Sequence, residues 1–486
     1  MPSGTSPTRP NILFLFTDDQ RHDTIHALGN EVIETPTMDS LVERGTSFTN
    51  AYIMGGTAAA VCMPSRAMLM TGRSLFHLDG RGERIPVEYP TFPEVFREAG
   101  YHTHHIGKWH QDRASFNRSF VSADRIFGFT KGWYQTYGGH WNVAVHDYDP
   151  SGAYPHETGY MLAADKRTKV PIGPGAGGVH SSELFADAAI EFLERYDAAD
   201  PFLLYVSFVA PHDPRQAPNE YESKYGPANV AVPANFLPRH PFDNGDLWVR
   251  DEALEGWPRR ERAIQDHLAD YYGIISHADS QIGRILAALE EQGLADDTIV
   301  VFSGDNGLAV GQHGLLGKQS VYEHSVGVPL VFAGPGIASR ARSEVNCYLF
   351  DIYPTLCDLA GLETPPSVDG ESLVPVLAAQ SAAGVSRAGR EVMVYAYQNW
   401  QRAVRSGSTK LIEYSVDGVR HTQLFDLAAD PLEMQNLAAE DPLQASTNEA
   451  VRVMRSLLLS ELERYDDPHR DEFGGDGTAV PHSPPP

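Results

Sequence analysis

Four short segments of this sequence carry side chains able to hold ions, and a fifth places a cysteine among them. Thr17-Asp18-Asp19-Gln20 and Gly304-Asp305-Asn306-Gly307 offer oxygen donors. Asp18, Asp19, Asp305 and Asn306 make a hard-ligand set that suits Ca2+ or Mg2+ and not Zn2+, which prefers nitrogen and sulfur. Three carboxylates drawn together would repel one another without a cation between them. Gly107-Lys108-Trp109-His110 and Pro211-His212-Asp213-Pro214 supply a second, cationic set of Lys108, His110 and His212, which Arg66 and Lys318 would join. The chain has 38 Lys and Arg against 64 Asp and Glu, a net charge of −26. Nucleic acid and anionic membranes are therefore not its partners. An anionic substrate would require the few cations to be gathered at one place.

The cysteine is Cys62, in Ala60-Val61-Cys62-Met63-Pro64-Ser65-Arg66-Ala67-Met68-Leu69-Met70-Thr71-Gly72. Pro64 fits the first turn of a helix and Gly72 its end. Cys62 then lies at the positive end of the helix dipole, where a thiol is activated and an anion is favoured. A buried cysteine at a loop–helix junction is the plainer reading. Arg66 argues against it, because a cation near a helix N-terminus is unfavourable unless an anion sits there too.

These residues need a scaffold. Residues 11–16 are a continuous apolar run, as in strands buried on both faces of a parallel sheet. The same character recurs at 202–210, 298–303 and 328–333, with a shorter strand at 101–106. Amphipathic helical patterns lie between: 91–99, one starting near Ser182, and a long one from Leu268 to Leu289. Strands alternating with helices predict an α/β fold with a large, mainly parallel sheet flanked by helices. Ligands of open α/β sheets sit beyond the carboxyl ends of the strands. All four polar segments follow strand ends. Singly, each reads as a cap, a turn or a buried histidine; four at one edge do not.

The pattern changes after about residue 385. Short strands at 392–397, 401–405, 410–414 and 422–425 are separated by turn signals. Asp430-Pro431-Leu432-Glu433 reads as a helix start. A smaller C-terminal antiparallel sheet with a helix is expected over 385–465, after a catalytic domain at 11–384. Residues 1–10 and 466–486 are expected to be flexible tails. Residues 111–180, rich in Gly, Tyr, Trp and His, read as long loops over the sheet end. Three cysteines are too few for a disulfide framework, and Cys347 and Cys357 read as inert core residues in helix-like surroundings. No secretory signal pattern or transmembrane run is present, which points to a cytoplasmic protein.

Cys-Met-Pro-Ser-Arg followed by Ala-Met-Leu-Met-Thr-Gly resembles the C-x-P-S-R signature of the type I sulfatases, in the alkaline-phosphatase-like superfamily. The other motifs agree in order: Asp18-Asp19, Gly-Lys-Trp-His at 107–110, Pro-His-Asp at 211–213, and Ser-Gly-Asp-Asn-Gly at 303–307 with His313 and Lys318 beyond. Leu424-Phe425-Asp426-Leu427 with Asp430-Pro431 and Glu433 resembles the family's C-terminal hallmark. The resemblance covers residues 10 to 460. It implies hydrolysis of sulfate monoesters through a formylglycine made from Cys62 by a formylglycine-generating enzyme. It implies a cation, Ca2+ in preference to Mg2+, held by Asp18, Asp19, Asp305 and Asn306. The hydrated aldehyde attacks sulfur and releases the alcohol, and sulfate then leaves by C–O cleavage. Arg66, Lys108 and Lys318 stabilise charged oxygens, His212 with Lys318 protonates the leaving oxygen, and His110 accepts a proton from the second hydroxyl.

Two alternatives stand beside this. A phosphonate monoester or phosphodiester hydrolase would share the pocket motifs, since both groups are tetrahedral anions. A non-catalytic binder of sulfated glycans would keep the pocket and lose the nucleophile. The aromatic loops favour a small or oligosaccharide sulfate ester as substrate, with His77, Trp133, His140 and Trp141 as candidate sugar contacts. His313, carried by the resemblance, joins them as a substrate-binding candidate.

Overall fold

The computed structural model describes residues 9–129, 139–173, 177–197, 199–378, 389–438 and 448–474. Trp133, both termini and the expected domain boundary near 384 lie outside them.

Eight strands form the main sheet: β1 (Asn11–Thr17), β2 (Gly45–Phe48), β3 (His102–Lys108), β4 (Ser122–Phe127), β5 (Phe202–Ser207), β6 (Thr298–Gly304), β7 (Leu330–Ala333) and β8 (Ala341–Ser343). Their spatial order is β8-β2-β7-β6-β1-β5-β3-β4. The five strands from β6 to β4 are mutually parallel, with Phe14 opposite Val301 on one side and Tyr205 on the other. The run at 328–333 differs from the parallel reading. It yields β7, which is antiparallel to both β6 and β2. Two of the described strand pairings are thus reversed in a sheet that is otherwise parallel.

The continuous apolar run of β1 is explained by cover on both faces. Ile12, Phe14 and Phe16 enter one core; Leu13 and Leu15 enter the other. This is the two-residue alternation of a strand with no solvent face. The second core takes its helical side chains from α1 (Pro36–Arg44) and from the helices Ser181–Arg195 and Glu261–Glu291. Burying each aromatic of β1 contributes about 2–3 kcal/mol.

The C-terminal segments form a meander of β9 (Val392–Tyr397), β10 (Gln401–Ser406), β11 (Thr409–Val416) and β12 (Val419–Asp426). Its fifth strand comes from far away in sequence: Gly55–Gly56 runs parallel to β9, pairing Gly55 with Ala396 and Gly56 with Tyr397. Gly55 is required there, because a Cβ would lie 1.9 Å from the Ala396 carbonyl oxygen. Met393, Tyr395, Val404 and Ile412 share a core with Phe14 and Phe16, so the small sheet has no separate interior.

Three further expectations need correction. No helix starts at Asp430. Residues 431–438 are turns, and Glu433 has φ +54°, outside helical space. The reason is electrostatic: the Glu433 carboxylate turns inward to the buried Lys410 ammonium at 2.8 Å. The closing helix lies later, at Glu449–Arg464, with Asn448 as its cap. Residues 113–119 are a helix and β4 an edge strand of the main sheet, not loops. Ser-Ala-Asp-Arg-Ile-Phe is too polar to read as a strand, but an edge strand needs only partial burial. Cys347 lies on a short strand rather than in a helix. It and Cys357 are buried, and burial pushes both thiols up.

Candidate active site

The carboxyl ends of β1, β3 and β6 converge on the start of α2 (Cys62–Thr71). Lys108 is the last residue of β3, which runs two residues past the expected end. Backbone bonds lock the two acidic turns together: Asp305 N–H donates to the Thr17 carbonyl at 3.1 Å, and Asp19 N–H to Asp305 Oδ1 at 2.9 Å. Asp19 has φ +64°, a left-handed conformation that aspartate tolerates better than most residues. Tyr271, from the long helix, fixes that turn from behind. Its hydroxyl donates to the Asp19 carbonyl and accepts from Arg21 N–H at 2.8 Å.

Cys62, Arg66, Lys108, Lys318, Asp18, Asp19, Asp305 and Asn306 are all at most 2% exposed. Charges so buried must be paired. Arg66 Nε donates to Asp305 Oδ2 at 2.8 Å and its Nη1 to Ser207 Oγ at 2.7 Å. Lys108 Nζ pairs with Asp18 Oδ2, and Lys318 Nζ with Asp19 Oδ1 at 2.6 Å. Both ammonium groups also face Cys62 Sγ, at 3.8 and 3.9 Å. His110 Nδ1 is 3.4 Å from the same sulfur. His212 Nε2 lies 3.8 Å from Asp19 Oδ2, and its Nδ1 donates to its neighbour's carbonyl, Asp213 O, at 2.8 Å.

Asp18 Oδ1 and Asn306 Oδ1 are buried without a hydrogen-bond partner. Ligand atoms of Asp18, Cys62 and Asp305 lie within 4.8 Å of one another. Two orphaned oxygens in a carboxylate cluster fit a hard divalent cation, which would satisfy both. The titration of the pair agrees. Burial works against ionisation of Asp18, but Lys108, His212, Arg66 and Lys318 outweigh it and hold the carboxyl well below the usual range. Burial and the Asp18 charge push Asp305 up to about 7. Burial also holds His110 well below the ordinary histidine range, with Lys108 and Arg66 adding to the effect.

The thiol itself is not activated. Burial raises Cys62 to about 11, and the neighbouring lysines only partly offset this. The helix N-terminus expected to lower it is outweighed by desolvation. As a cysteine, residue 62 stays protonated at neutral pH.

The pocket above Cys62 has a volume of about 300 Å3. Lys108, His110, His212 and Lys318 line it, and so do three residues without a motif to announce them: Arg250, Asp251 and Gln319. Four sequence candidates for substrate contact lie elsewhere among the described residues. His140 is fully buried, with Nδ1 on Ser181 Oγ at 2.6 Å and Nε2 on the His212 carbonyl at 2.9 Å, so it presents no edge to a sugar. Trp141 packs edge-on against His180. His77 is tied to Asp369 and Asp466. His313 stacks on Tyr322 with ring centroids 4.0 Å apart and lines a different cavity. Residue type marked these rings as versatile; their burial came from packing that no motif encodes.

A parallel-sheet edge that gathers buried carboxylates, lysines and an arginine around one residue is a site for hydrolysing esters of tetrahedral anions. Residues 10–362 match the Sulfatase family model, and residues 311–459 match the model for the C-terminal region of N-sulphoglucosamine sulphohydrolase. The chain belongs to the sulfatase family and is a sulfuric ester hydrolase. It is 29% identical to an arylsulfatase of Clostridium perfringens, over 95% of this chain and 96% of that one. It is 26% identical to an N-acetylglucosamine-6-O-sulfatase of Bacteroides thetaiotaomicron, over 97% and 89%. A protein solved with its substrate D-glucosamine-2-N,6-O-disulfate shares the fold with TM-score 0.74, 23% identity, and 96% and 100% coverage. So does the phosphonate monoester hydrolase of Agrobacterium radiobacter, with TM-score 0.70, 23% identity, and 95% and 96% coverage. The fold is alkaline-phosphatase-like. No described helix is long and apolar enough to cross a membrane.

Proposed function

We propose that this sulfatase acts on a sulfated carbohydrate, through a formylglycine made from Cys62 and a divalent cation held by Asp18, Asp19, Asp305 and Asn306, with Ca2+ favoured. The observation that carries the reading is the convergence on Cys62 Sγ of Lys108, Lys318 and His110, next to two orphaned oxygens, the Asp18 carboxylate Oδ1 and the Asn306 amide Oδ1. Sγ marks where the oxygens of the modified side chain would stand.

The modified residue supplies a hydroxyl nucleophile, and the cation supplies positive charge for the sulfate oxygens. The chain's own groups do the rest. Arg66, Lys108 and Lys318 face Asp18, Asp19 and Asp305, so the carboxylates do not outweigh the cations and a divalent ion held there would make the cluster positive. That charge attracts a sulfate ester and stabilises the equatorial oxygens in the transition state. His110, kept neutral by burial, accepts a proton at Nδ1 from the group at position 62. His212 Nε2 and Lys318 Nζ, which line the pocket, are the proposed donors to the leaving oxygen. The sugar-directed half of the proposal is supported by the named specificities of the glucosamine sulfatases above.

The test compares kcat/KM for 4-nitrophenyl sulfate and a phenyl phosphonate monoester, using protein co-expressed with a formylglycine-generating enzyme. Mass spectrometry of the proteolytic peptide carrying residue 62 reads the modification. Preference for the sulfate, lost together with the modified peptide in Cys62→Ala, is the expected result. Unchanged hydrolysis by Cys62→Ala would refute the mechanism, and a preference for phosphonate would refute the substrate.

A further inference from the structure

The wall of the pocket away from Cys62 has a charge of its own. Arg250 Nη1 donates to Asp213 Oδ1 at 2.8 Å and to Asp251 Oδ1 at 3.0 Å, and its Nη2 pairs with Asp213 Oδ2. Asp251 Oδ2 accepts from Gln319 Nε2 at 2.7 Å, and Gln319 is held in turn by the Ala59 carbonyl at 2.9 Å. One guanidinium thus faces two carboxylates, and the trio carries a net −1. Arg250 is the cation most open to solvent here, at 37%, yet its charge is already spent on Asp213 and Asp251. The rest of this wall, Ala59, Ala60 and Val249, is apolar.

We infer that the Arg250–Asp251 wall selects esters whose group beside the sulfate is a neutral, hydroxyl-bearing sugar ring, and rejects a second anionic group. The inference rests on the sulfatase reading of the site and narrows its substrate class. Each Asp251 oxygen has one donor in the structure and a carboxylate oxygen can accept two, so the side chain has room for a substrate hydroxyl. Asp251 is ionised: burial opposes this, but Lys318, Gln319, His212 and Arg250 together lower it. A second sulfate or a carboxylate on the substrate would meet that charge in a poorly hydrated pocket. Like charges a few ångströms apart at an effective dielectric near 20 cost enough for discrimination on the order of tenfold or more. About 300 Å3 is at the small end of ligand pockets, which fits one sulfated ring.

The experiment measures kcat/KM for 4-nitrophenyl sulfate, for methyl glucosides sulfated once at each position and for glucosamine 2,6-disulfate. Nitrophenyl sulfate reports the chemistry alone; if the wild type fails to hydrolyse it, the reading of the site has failed rather than the inference. The expected result is that the best monosulfated glucoside exceeds the disulfate by about tenfold or more. Asp251→Asn should shrink the monosulfate-to-disulfate ratio severalfold, and Arg250→Gln, which leaves the wall at −2, should widen it. The opposite movements cannot come from general loss of structure, and either variant suffices if the other does not fold. A disulfate preferred by the wild type, or a ratio that neither variant moves, would overturn the inference.

Discussion

Lys410 offers the sharpest test of the electrostatics that dock the small sheet. Its ammonium is wholly buried and lies 2.8 Å from both Glu323 Oε1 and Glu433 Oε1. Glu323 also accepts from the Tyr52 hydroxyl at 2.9 Å and has Arg405 at 3.6 Å. Among the described residues Lys410 is the one cation paired with Glu433, and burial and the Glu323 charge push that carboxyl up to about 7. Lys410→Met removes the charge between two carboxylates that cannot move to water. Breaking a buried pair from one side costs about 3–5 kcal/mol. Protonation of Glu433 relieves part of this, because a neutral acid tolerates burial. The variant should therefore lose about 4 kcal/mol at pH 8 and roughly half that at pH 6. The wild type has the same sign on a smaller scale. A carboxyl raised from 4.5 to about 7 favours the folded state below pH 4.5, and this advantage is lost as pH rises to 7, on the order of 3 kcal/mol in all. Glu323, lowered to about 2, acts only below pH 4.5, outside the assay window. Urea unfolding of wild type, Lys410→Met and Lys410→Met/Glu433→Gln at pH 6, 7 and 8 reads the effect, and the double variant should lose the pH dependence. Equal losses at pH 6 and pH 8, or a loss under about 1 kcal/mol at pH 8, would refute this account.

Three other outcomes follow from the same structure. His104 is buried, stacked on Phe192, and pushed down to about 3 by burial, so the unfolded chain binds its proton first as pH falls below 6.5. Stability should drop by about 1.4 kcal/mol per pH unit from this residue below 6.5, and His104→Gln should flatten that limb of a stability–pH curve. Lys318→Ala should lower kcat by about 10²–10³-fold with a smaller change in KM, since its ammonium faces both Asp19 and residue 62. Gly72→Ala should cost about 1–3 kcal/mol by thermal or urea unfolding, because Gly72 ends α2 at φ +65° and a Cβ would lie 2.7 Å from Val368 Cγ1.

The parts of this molecule legible in the sequence are those where local chemistry and fold agree. The unbroken apolar run of β1, the proline and glycine bounding α2, and the polar residues after β1, β5 and β6 each have a local reason and occur at the expected places. Glu433 was misread because Asp-Pro-x-Glu satisfies helix capping rules, while Lys410, distant in sequence, draws the carboxylate inward. His140 reads as a sugar contact by type but packs in a buried cluster, parallel to His180 at 5.0 Å, with His277 edge-on to His180. Arg250 and Asp251 lie in an irregular segment without periodicity, so only the folded chain shows that they face the pocket. Cys62 looked activated because a helix dipole can be read from sequence, whereas full desolvation cannot.

Gly55–Gly56 pairs with β9, and this sets a timetable for the segment that leads into Cys62. The strand completing that pairing, Val392–Tyr397, is made after most of the chain. At about 5–20 residues per second, its synthesis lags that of Cys62 by roughly 20–70 s. Until then the segment at 55–56 lacks this partner strand. The segment that leads into Cys62 therefore gains this pairing only when the small sheet is added. Deletion of the small sheet would leave Gly55–Gly56 without its strand partner, so the order of synthesis and the order of pairing differ by most of the chain.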